Sequence, residues 1–322
     1  MTRVAAVDCG TNSLRLLLAD VDPERGTLTD LTRRMEIVRL GQGVDRTGRL
    51  APEALARTIA VLRDYADVIA TSGAKAVRMV ATSATRDASN AAEFTAMVSE
   101  VLGVAPEVLT GDEEAVLSFT GATAELAAGP EPGPDPGPEP GLFLVADIGG
   151  GSTEFVLGPG GGLPEQRISV DIGCVRLTER HLHSDPPSGH EVVAATADID
   201  TALDAVAAAV PVRQARTLVG LAGSVATVVG IAIGLPAYDS ARIHHARVPA
   251  AAVHAVTRSL LAQTRAERAE IGLMHPGRVD VIGGGALVLD RIMQRFGFGE
   301  VLASEHDILD GIAWSLAGRL PS

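Results

Sequence analysis

Apolar and polar positions alternate along this chain in short runs that predict strands and helices in turn. Residues 3–8 read as a buried strand, Leu14 to Val21 as its antiparallel partner, and 22–26 as a turn by composition. A third strand covers much of 27–40, and 41–48 reads as a loop. Pro52 opens a helix to about Ala70, 76–81 is a strand, and Asn90 caps a helix through Leu102. A short strand at 107–109 precedes a helix that begins at Asp112 and carries Glu113 and Glu114 in its first turn. The second half repeats the theme. Strands are predicted at 142–147, 153–158 and 165–171, then helices at 174–183 and 190–209. A strand at 218–222 runs into Gly223-Ser224, followed by a helix at 226–233 and another from Pro249 to Gln263. Residues 280–282 read as a strand ending at Gly283-Gly284-Gly285, then a helix to Arg295, a strand at 301–303 and a helix at 308–320. Mixed strands and helices in two similar halves predict an α/β fold of two related domains.

The halves share a motif. Val4-Ala-Ala-Val-Asp8-Cys-Gly10-Thr11-Asn12-Ser13 returns in altered form as Leu144-Val-Ala-Asp147-Ile-Gly149-Gly150-Gly151-Ser152-Thr153. Each copy is an apolar run, an aspartate, small glycine or hydroxyl residues, and a second apolar run. Such a pattern delivers a carboxylate to a tight turn whose backbone N–H groups stay open, as phosphate and metal loops require. Alone, the first copy also fits a polar hairpin turn. Three consecutive glycines in the second are costly unless close backbone approach is needed. Two such loops facing each other would form a cleft able to grip a polyphosphorylated substrate. Between the halves, 129–141 alternates proline with glycine and acidic residues. That composition makes an extended, solvated spacer and a domain boundary.

Composition narrows the function classes. A chain of 322 residues can bury two cores. No run approaches the roughly 18 apolar residues of a membrane span, so no membrane partner is expected. The N-terminus enters a strand with no signal-peptide pattern, and the only two cysteines, Cys9 and Cys174, give no disulfide framework. A cytoplasmic location is the expectation. The net charge of −13 argues against nucleic acid as a partner. It does not exclude an anionic ligand held by backbone N–H groups, a few arginines and a cation. Lys75 is the only lysine. The remaining cations are arginines, which suit bidentate phosphate contacts but equally reflect a GC-rich genome. His244-His245 has no third ligand at metal spacing and reads as an exposed pair; Cys9 and Cys174 read as small buried residues.

Several ordered motifs together resemble the exopolyphosphatase / guanosine pentaphosphate phosphohydrolase (Ppx/GppA) family. They are Val7-Asp-Cys-Gly-Thr-Asn-Ser-Leu-Arg15, Ala81-Thr-Ser-Ala-Thr-Arg86-Asp87, Thr110-Gly-Asp-Glu-Glu114-Ala, Val145-Ala-Asp-Ile-Gly-Gly-Gly-Ser-Thr-Glu154-Phe, Asp171-Ile-Gly-Cys-Val-Arg176-Leu-Thr-Glu, Gly220-Leu-Ala-Gly223-Ser224 and Gly277-Arg278-Val-Asp280-Val-Ile-Gly-Gly-Gly285-Ala. The resemblance implies two RNase H-like domains of the actin–Hsp70–sugar-kinase superfamily around a central cleft. It places the domains at 1–128 and 142–304, the linker at 129–141, and a C-terminal helix at about 305–322 packed back on the first domain. It also implies a homodimer.

In the family's Gly-x-Glu-Glu-Ala motif the second acidic residue is the catalytic base, here Glu114. The residues themselves do not separate Glu114 from Glu113, and both also suit a helix N-terminus. Asp8, Asp147 and Glu154 are then expected as Mg²⁺ ligands, direct or through water. Gly10, Thr11, Asn12 and Ser13, with Gly149, Gly150, Gly151, Ser152 and Thr153, would cradle phosphate. Arg86 is the candidate phosphate clamp; Arg15 is as readily structural, and Arg176 fits either role. Gly283-Gly284-Gly285 resembles the superfamily's adenosine-binding turn, with a strand-to-helix packing turn as an equal alternative. The implied activity is Mg²⁺-dependent release of terminal phosphate from inorganic polyphosphate by water attack. Short chains are favoured, because the helical region that follows in longer family members is absent. Hydrolysis of guanosine pentaphosphate (pppGpp) is the alternative substrate reading. A non-catalytic polyphosphate or (p)ppGpp sensor is the alternative from another class, and a kinase of the superfamily fits less well.

Overall fold

The computed structural model describes residues 1–124, 126 and 141–318, and the chain divides into two compact units. One comprises Met1–Gly121 with Ile308–Ser322, the other Ala122–Asp307. The expected linker at 129–141 lies outside the described residues except for Gly141.

The first unit is a sheet of β1 (Thr2–Cys9), β2 (Ser13–Asp22), β3 (Thr27–Ile37), β4 (Ala76–Ala81) and β5 (Glu107–Val108). Their spatial order is β3-β2-β1-β4-β5. β1 is buried on both faces from Val4 to Cys9, as a central strand should be. Short turns join β1 to β2 and β2 to β3, so those pairs are antiparallel. β4 and β5 run parallel to β1, which demands helical crossovers. The helices Pro52–Ser72 and Ala91–Leu102 provide them. The first crossover begins with proline in its opening turn and buries Leu55, Ile59, Leu62 and Tyr65. Tyr65 Oη donates to the Leu14 carbonyl at 3.0 Å, which pins this helix to the start of β2.

The second unit repeats that order. β6 (Leu142–Ile148), β7 (Thr153–Gly158), β8 (Gln166–Val170), β9 (Ala215–Leu221), β10 (Arg247–Pro249) and β11 (Glu300–Ala303) lie as β10-β11-β9-β6-β7-β8. Three antiparallel strands followed by two parallel ones match the first sheet, and β10 is an added antiparallel edge. Each sheet has its own apolar core, around Leu16, Leu62 and Phe94 in one unit and Leu144, Phe155 and Ile292 in the other. No helix among the described residues is long and apolar enough to cross a membrane.

Four local expectations change. Residues 44–47 form a one-turn helix, bounded by Gly43 and Gly48 in the left-handed region, where a loop is expected. Asn90 precedes its helix but makes no side-chain cap bond. Its amide instead accepts from the Leu50 N–H at 2.8 Å and donates to the Leu50 carbonyl at 3.1 Å, clamping another segment. β10 has no counterpart in the sequence reading. Residues 280–282 form no strand, and Gly283, Gly284 and Gly285 lie in the first turn of the helix Ile282–Phe296. A Cβ on Gly285 would sit 2.1 Å from Ser224 Oγ, and one on Gly284 would sit 2.9 Å from the Cys174 carbonyl oxygen. Close packing against two neighbouring segments therefore explains Gly284 and Gly285.

The terminal helix Ile308–Leu316 packs on β1, β2 and β4 of the first unit. Arg33 of β3 donates to Asp310 on this helix at 2.6 Å. Gly311 crosses the helix Gly111–Thr123 so closely that a Cβ would lie 2.1 Å from the Leu117 carbonyl oxygen. Alanine would gain up to about 1 kcal/mol in helix propensity but lose about 1–3 kcal/mol through overpacking. Gly311→Ala should therefore lower the urea midpoint with an unchanged denaturant slope; a midpoint at or above wild type would refute the close crossing.

Candidate functional site

In the first unit, β1 carries Asp8 to the end of the sheet, and Gly10, Thr11, Asn12 and Ser13 form the hairpin turn into β2. The Gly10 N–H closes the turn on the Ser13 carbonyl at 3.0 Å. The turn is held from behind. Gly41 N–H donates to the Thr11 carbonyl at 2.8 Å, and Val38 and Arg39 N–H donate to the Asn12 carbonyl at 3.0 and 2.8 Å. Arg39 adopts a left-handed φ of 51° in this segment. Gly41 is required by contact, since a Cβ would lie 2.3 Å from Thr11 Cγ2. Thr11 Oγ1 and Ser83 Oγ share a buried hydrogen bond of 2.8 Å, which ties the turn to the segment after β4. Asp8 is 3% exposed, and Arg15, its cross-strand partner, donates to Asp8 Oδ2 from Nε at 2.9 Å and Nη2 at 2.6 Å.

The two glutamates of the helix Gly111–Thr123 separate cleanly. Glu113 is exposed and accepts from the Thr110 N–H and hydroxyl, each at 2.8 Å, while its own N–H donates back to Thr110 Oγ1. This is a capping box, and those bonds hold the Glu113 carboxyl below its ordinary range. Glu114 is buried and faces Arg86, whose Nη1 lies 3.3 Å from Glu114 Oε2 and donates to the Leu109 carbonyl at 2.9 Å. Arg86 ends the short helix Ser83–Arg86, so Thr11, Ser83, Arg86 and Glu114 form a connected set.

The second unit repeats the turn with different chemistry. Gly149 N–H closes on the Ser152 carbonyl at 3.0 Å, the same distance as in the first copy. Behind it stands the helix Cys174–His181. Cys174 N–H donates to the Gly149 carbonyl at 3.0 Å, and Val175 and Arg176 N–H donate to the Gly150 carbonyl at 2.9 and 3.1 Å. No hydrogen bond from the N–H groups of Gly150, Gly151 and Ser152 is found among the described residues. Thr153 points inward, and its hydroxyl donates to the Ile172 carbonyl at 2.6 Å.

Asp147 and Glu154 are cross-strand partners, 8% and 1% exposed. Directly opposed residues project from the same face of a sheet, and like charges there repel. Ser169 Oγ donates to Glu154 Oε1 at 2.7 Å. Two buried hard-oxygen donors side by side fit a Mg²⁺ ion, which takes one or two carboxylates and keeps several waters. Asp8 occupies the matching position in the first unit, but Arg15 balances its charge there. No group of three or more His, Cys, Asp or Glu side chains is arranged to hold a metal among the described residues.

The remaining candidates are packing features. His244 and His245 stack at 3.8 Å, and the structure adds His306 at 4.5 Å from His244, a neighbour far along the chain that spacing could not reveal. Both cysteines are buried; burial and the neighbouring Asp8 push the Cys9 thiol up, and burial pushes Cys174 up. The sequence reading left Arg15 and Arg176 undecided. Arg15 could be placed by counting from the turn, because equal register steps from Gly10–Ser13 bring Asp8 and Arg15 opposite each other. The backing donors Val38, Arg39 and Gly41 carry no sequence signal, because main-chain N–H groups are common to almost all residues.

The Ppx/GppA phosphatase family matches residues 18–319. The chain is 51% identical to Exopolyphosphatase 2 of Mycobacterium tuberculosis over 333 aligned positions, covering 99% of both proteins. Among solved structures it superposes on an exopolyphosphatase-like protein with a TM-score of 0.90 and 41% identity, over 98% of this chain and 97% of the other. A PPX-GPPA enzyme of Aquifex aeolicus gives a TM-score of 0.79 at 29% identity, over 98% and 99%. With the repeated sheet, the paired glycine turns and a match across nearly the whole chain, this protein belongs to the Ppx/GppA phosphatase family.

Proposed function

We propose that the protein is an exopolyphosphatase that hydrolyses the terminal phosphoanhydride of inorganic polyphosphate. The observation that carries this reading is the turn at 149–152, which offers three N–H groups beside the carboxylates of Asp147 and Glu154. Consecutive N–H groups of this kind receive phosphate oxygens. Full-length similarity to an exopolyphosphatase supports the same substrate class.

In this reading Gly150, Gly151 and Ser152 are the phosphate-oxygen donors of the second unit, and Gly10, Thr11, Asn12 and Ser13 are the phosphate candidates of the first. Glu114 accepts the proton of the attacking water. Its burial and its contact with Arg86 support that role over Glu113, whose carboxylate is committed to the helix cap. Arg86 fixes the Glu114 carboxylate and has further donors for phosphate. A divalent cation such as Mg²⁺, bound by Asp147 and Glu154, would offset the negative charge of the phosphates. Asp8, within its own unit, is the weaker metal candidate, because Arg15 already balances its charge. Positioning and charge stabilisation carry phosphoryl transfer, so the protein needs no covalent step.

Phosphate release should be measured with Mg²⁺ on short polyphosphate, long polyphosphate and pppGpp. Glu114→Gln is expected to lose about 10²–10⁴-fold in kcat with its thermal unfolding unchanged, as removal of a general base does. An unchanged kcat in this variant would exclude Glu114 as the base, and a wild type that turns over only pppGpp would replace the substrate.

Metal binding has a separate readout. Without divalent cations Glu154→Gln relieves a like-charge pair worth about 0.2–1 kcal/mol, so its Tm should exceed that of wild type by a few degrees at most. Added Mg²⁺ should raise the wild-type Tm and move the variant less. A wild-type Tm indifferent to Mg²⁺ would refute the assignment to Asp147 and Glu154.

A further inference from the structure

The turn at 149–152 has one backing contact that comes from a side chain. Arg176 Nε donates to the Gly151 carbonyl at 2.6 Å, while the Arg176 side chain is only 11% exposed. With the main-chain donors of Cys174, Val175 and Arg176, it completes a row in which the carbonyls of Gly149, Gly150 and Gly151 are all held from one side. A trans peptide is planar, so its C=O and the following N–H point in opposite directions. Holding those three carbonyls therefore turns the N–H groups of Gly150, Gly151 and Ser152 the other way. The first two carbonyls are held by a helix terminus that packing already fixes. A Cβ on Gly173 would lie 2.5 Å from the Gly150 carbonyl, so helix and turn are in direct contact there. The third carbonyl depends on Arg176.

We propose that Arg176 is a positioning residue: it sets the peptide plane between Gly151 and Ser152 and thereby aims the Ser152 N–H at a phosphate oxygen. The inference rests on the phosphate reading of this turn. A further partner of the Arg176 side chain, Asp171, is 3.9 Å away with a carboxylate 72% exposed, and surface pairs of that kind contribute little. The Gly151 bond is the contact that bears on the turn. Three glycines leave the turn conformationally loose, so without Arg176 the last plane can rotate. A misplacement of about 1 Å in such a donor can cost on the order of 10²-fold in rate.

The test compares wild type, Arg176→Ala, Arg176→Lys and Asp171→Asn with inorganic tripolyphosphate and Mg²⁺. Arg176→Ala is expected to lose about 10- to 100-fold in kcat/KM while keeping its Tm within a few degrees. Arg176→Lys and added ethylguanidinium should each restore part of that loss, because each returns a donor to the Gly151 carbonyl. Asp171→Asn should behave as wild type. Amide hydrogen exchange across 149–152 should speed up in Arg176→Ala and lose its protection by tripolyphosphate. Loss of activity matched by loss of Tm, without rescue by lysine or ethylguanidinium, would overturn the proposal, as would a kcat/KM within twofold of wild type. If Arg176→Ala fails to fold, Arg176→Lys against wild type decides by the same exchange and rate readouts. A wild type that releases no phosphate from tripolyphosphate would sink the functional reading instead, and exchange at 149–152 would still show whether Arg176 orders the turn.

Discussion

The peptide planes of the turn at 149–152 are set by hydrogen bonds to their carbonyl oxygens, and much of the second unit is arranged to supply those bonds. The helix Cys174–His181 must arrive with its first turn against the glycines, so Gly173 has no room for a side chain. That helix is pressed into place by the helix Ile282–Phe296, which approaches Cys174 closely only because Gly284 and Gly285 lack side chains. Glycines far apart in the chain therefore serve one end. They bring backbone donors behind a turn so that other backbone donors are left facing outward. The first unit solves the same problem with an extended segment, where Val38, Arg39 and Gly41 take the place of the helix.

The two copies diverge at one pair of positions. Register places Asp8 opposite Arg15 in one hairpin and Asp147 opposite Glu154 in the other. The first pair is neutral and locked by two hydrogen bonds to one oxygen. The second gathers two carboxylates at low exposure, an arrangement that repels itself until a cation or donor offsets it. One hairpin thus pairs its acid with an arginine beside its turn, and the other gathers the two acids that the proposed cation site would use. A single cross-strand substitution, arginine for glutamate, separates the two roles.

Legibility varied with the range of the interaction. The strands of the first half, the position of both turns and the buried state of the cysteines follow from local patterns of apolar residues and glycine, whereas β10 and residues 280–282 do not. Thr110-x-x-Glu113 is a capping-box spacing, so the place of Glu113 in the cap was open to reading, whereas the burial of Glu114 was not. Asn90 shows the opposite case. Its position before a helix suggests a cap, but a backbone segment 40 residues away offers it two hydrogen bonds and wins. The three glycines at 283–285 stayed open between a binding turn and a packing turn for a related reason: glycine marks close approach, and the sequence does not say what approaches.

By itself the chain determined most of its secondary structure, its internal repeat and the residues proposed to handle phosphate, because these depend on composition and spacing over a few positions. Tertiary structure decided which partners those residues take. It assigned Arg15 to Asp8, freed Glu114 from the cap that holds Glu113, set Asp147 beside Glu154 and brought Arg176 to the Gly151 carbonyl. Each of those outcomes turns on which donor reaches which oxygen within about 3 Å. Distances of that size are fixed by packing among segments that the linear order keeps apart.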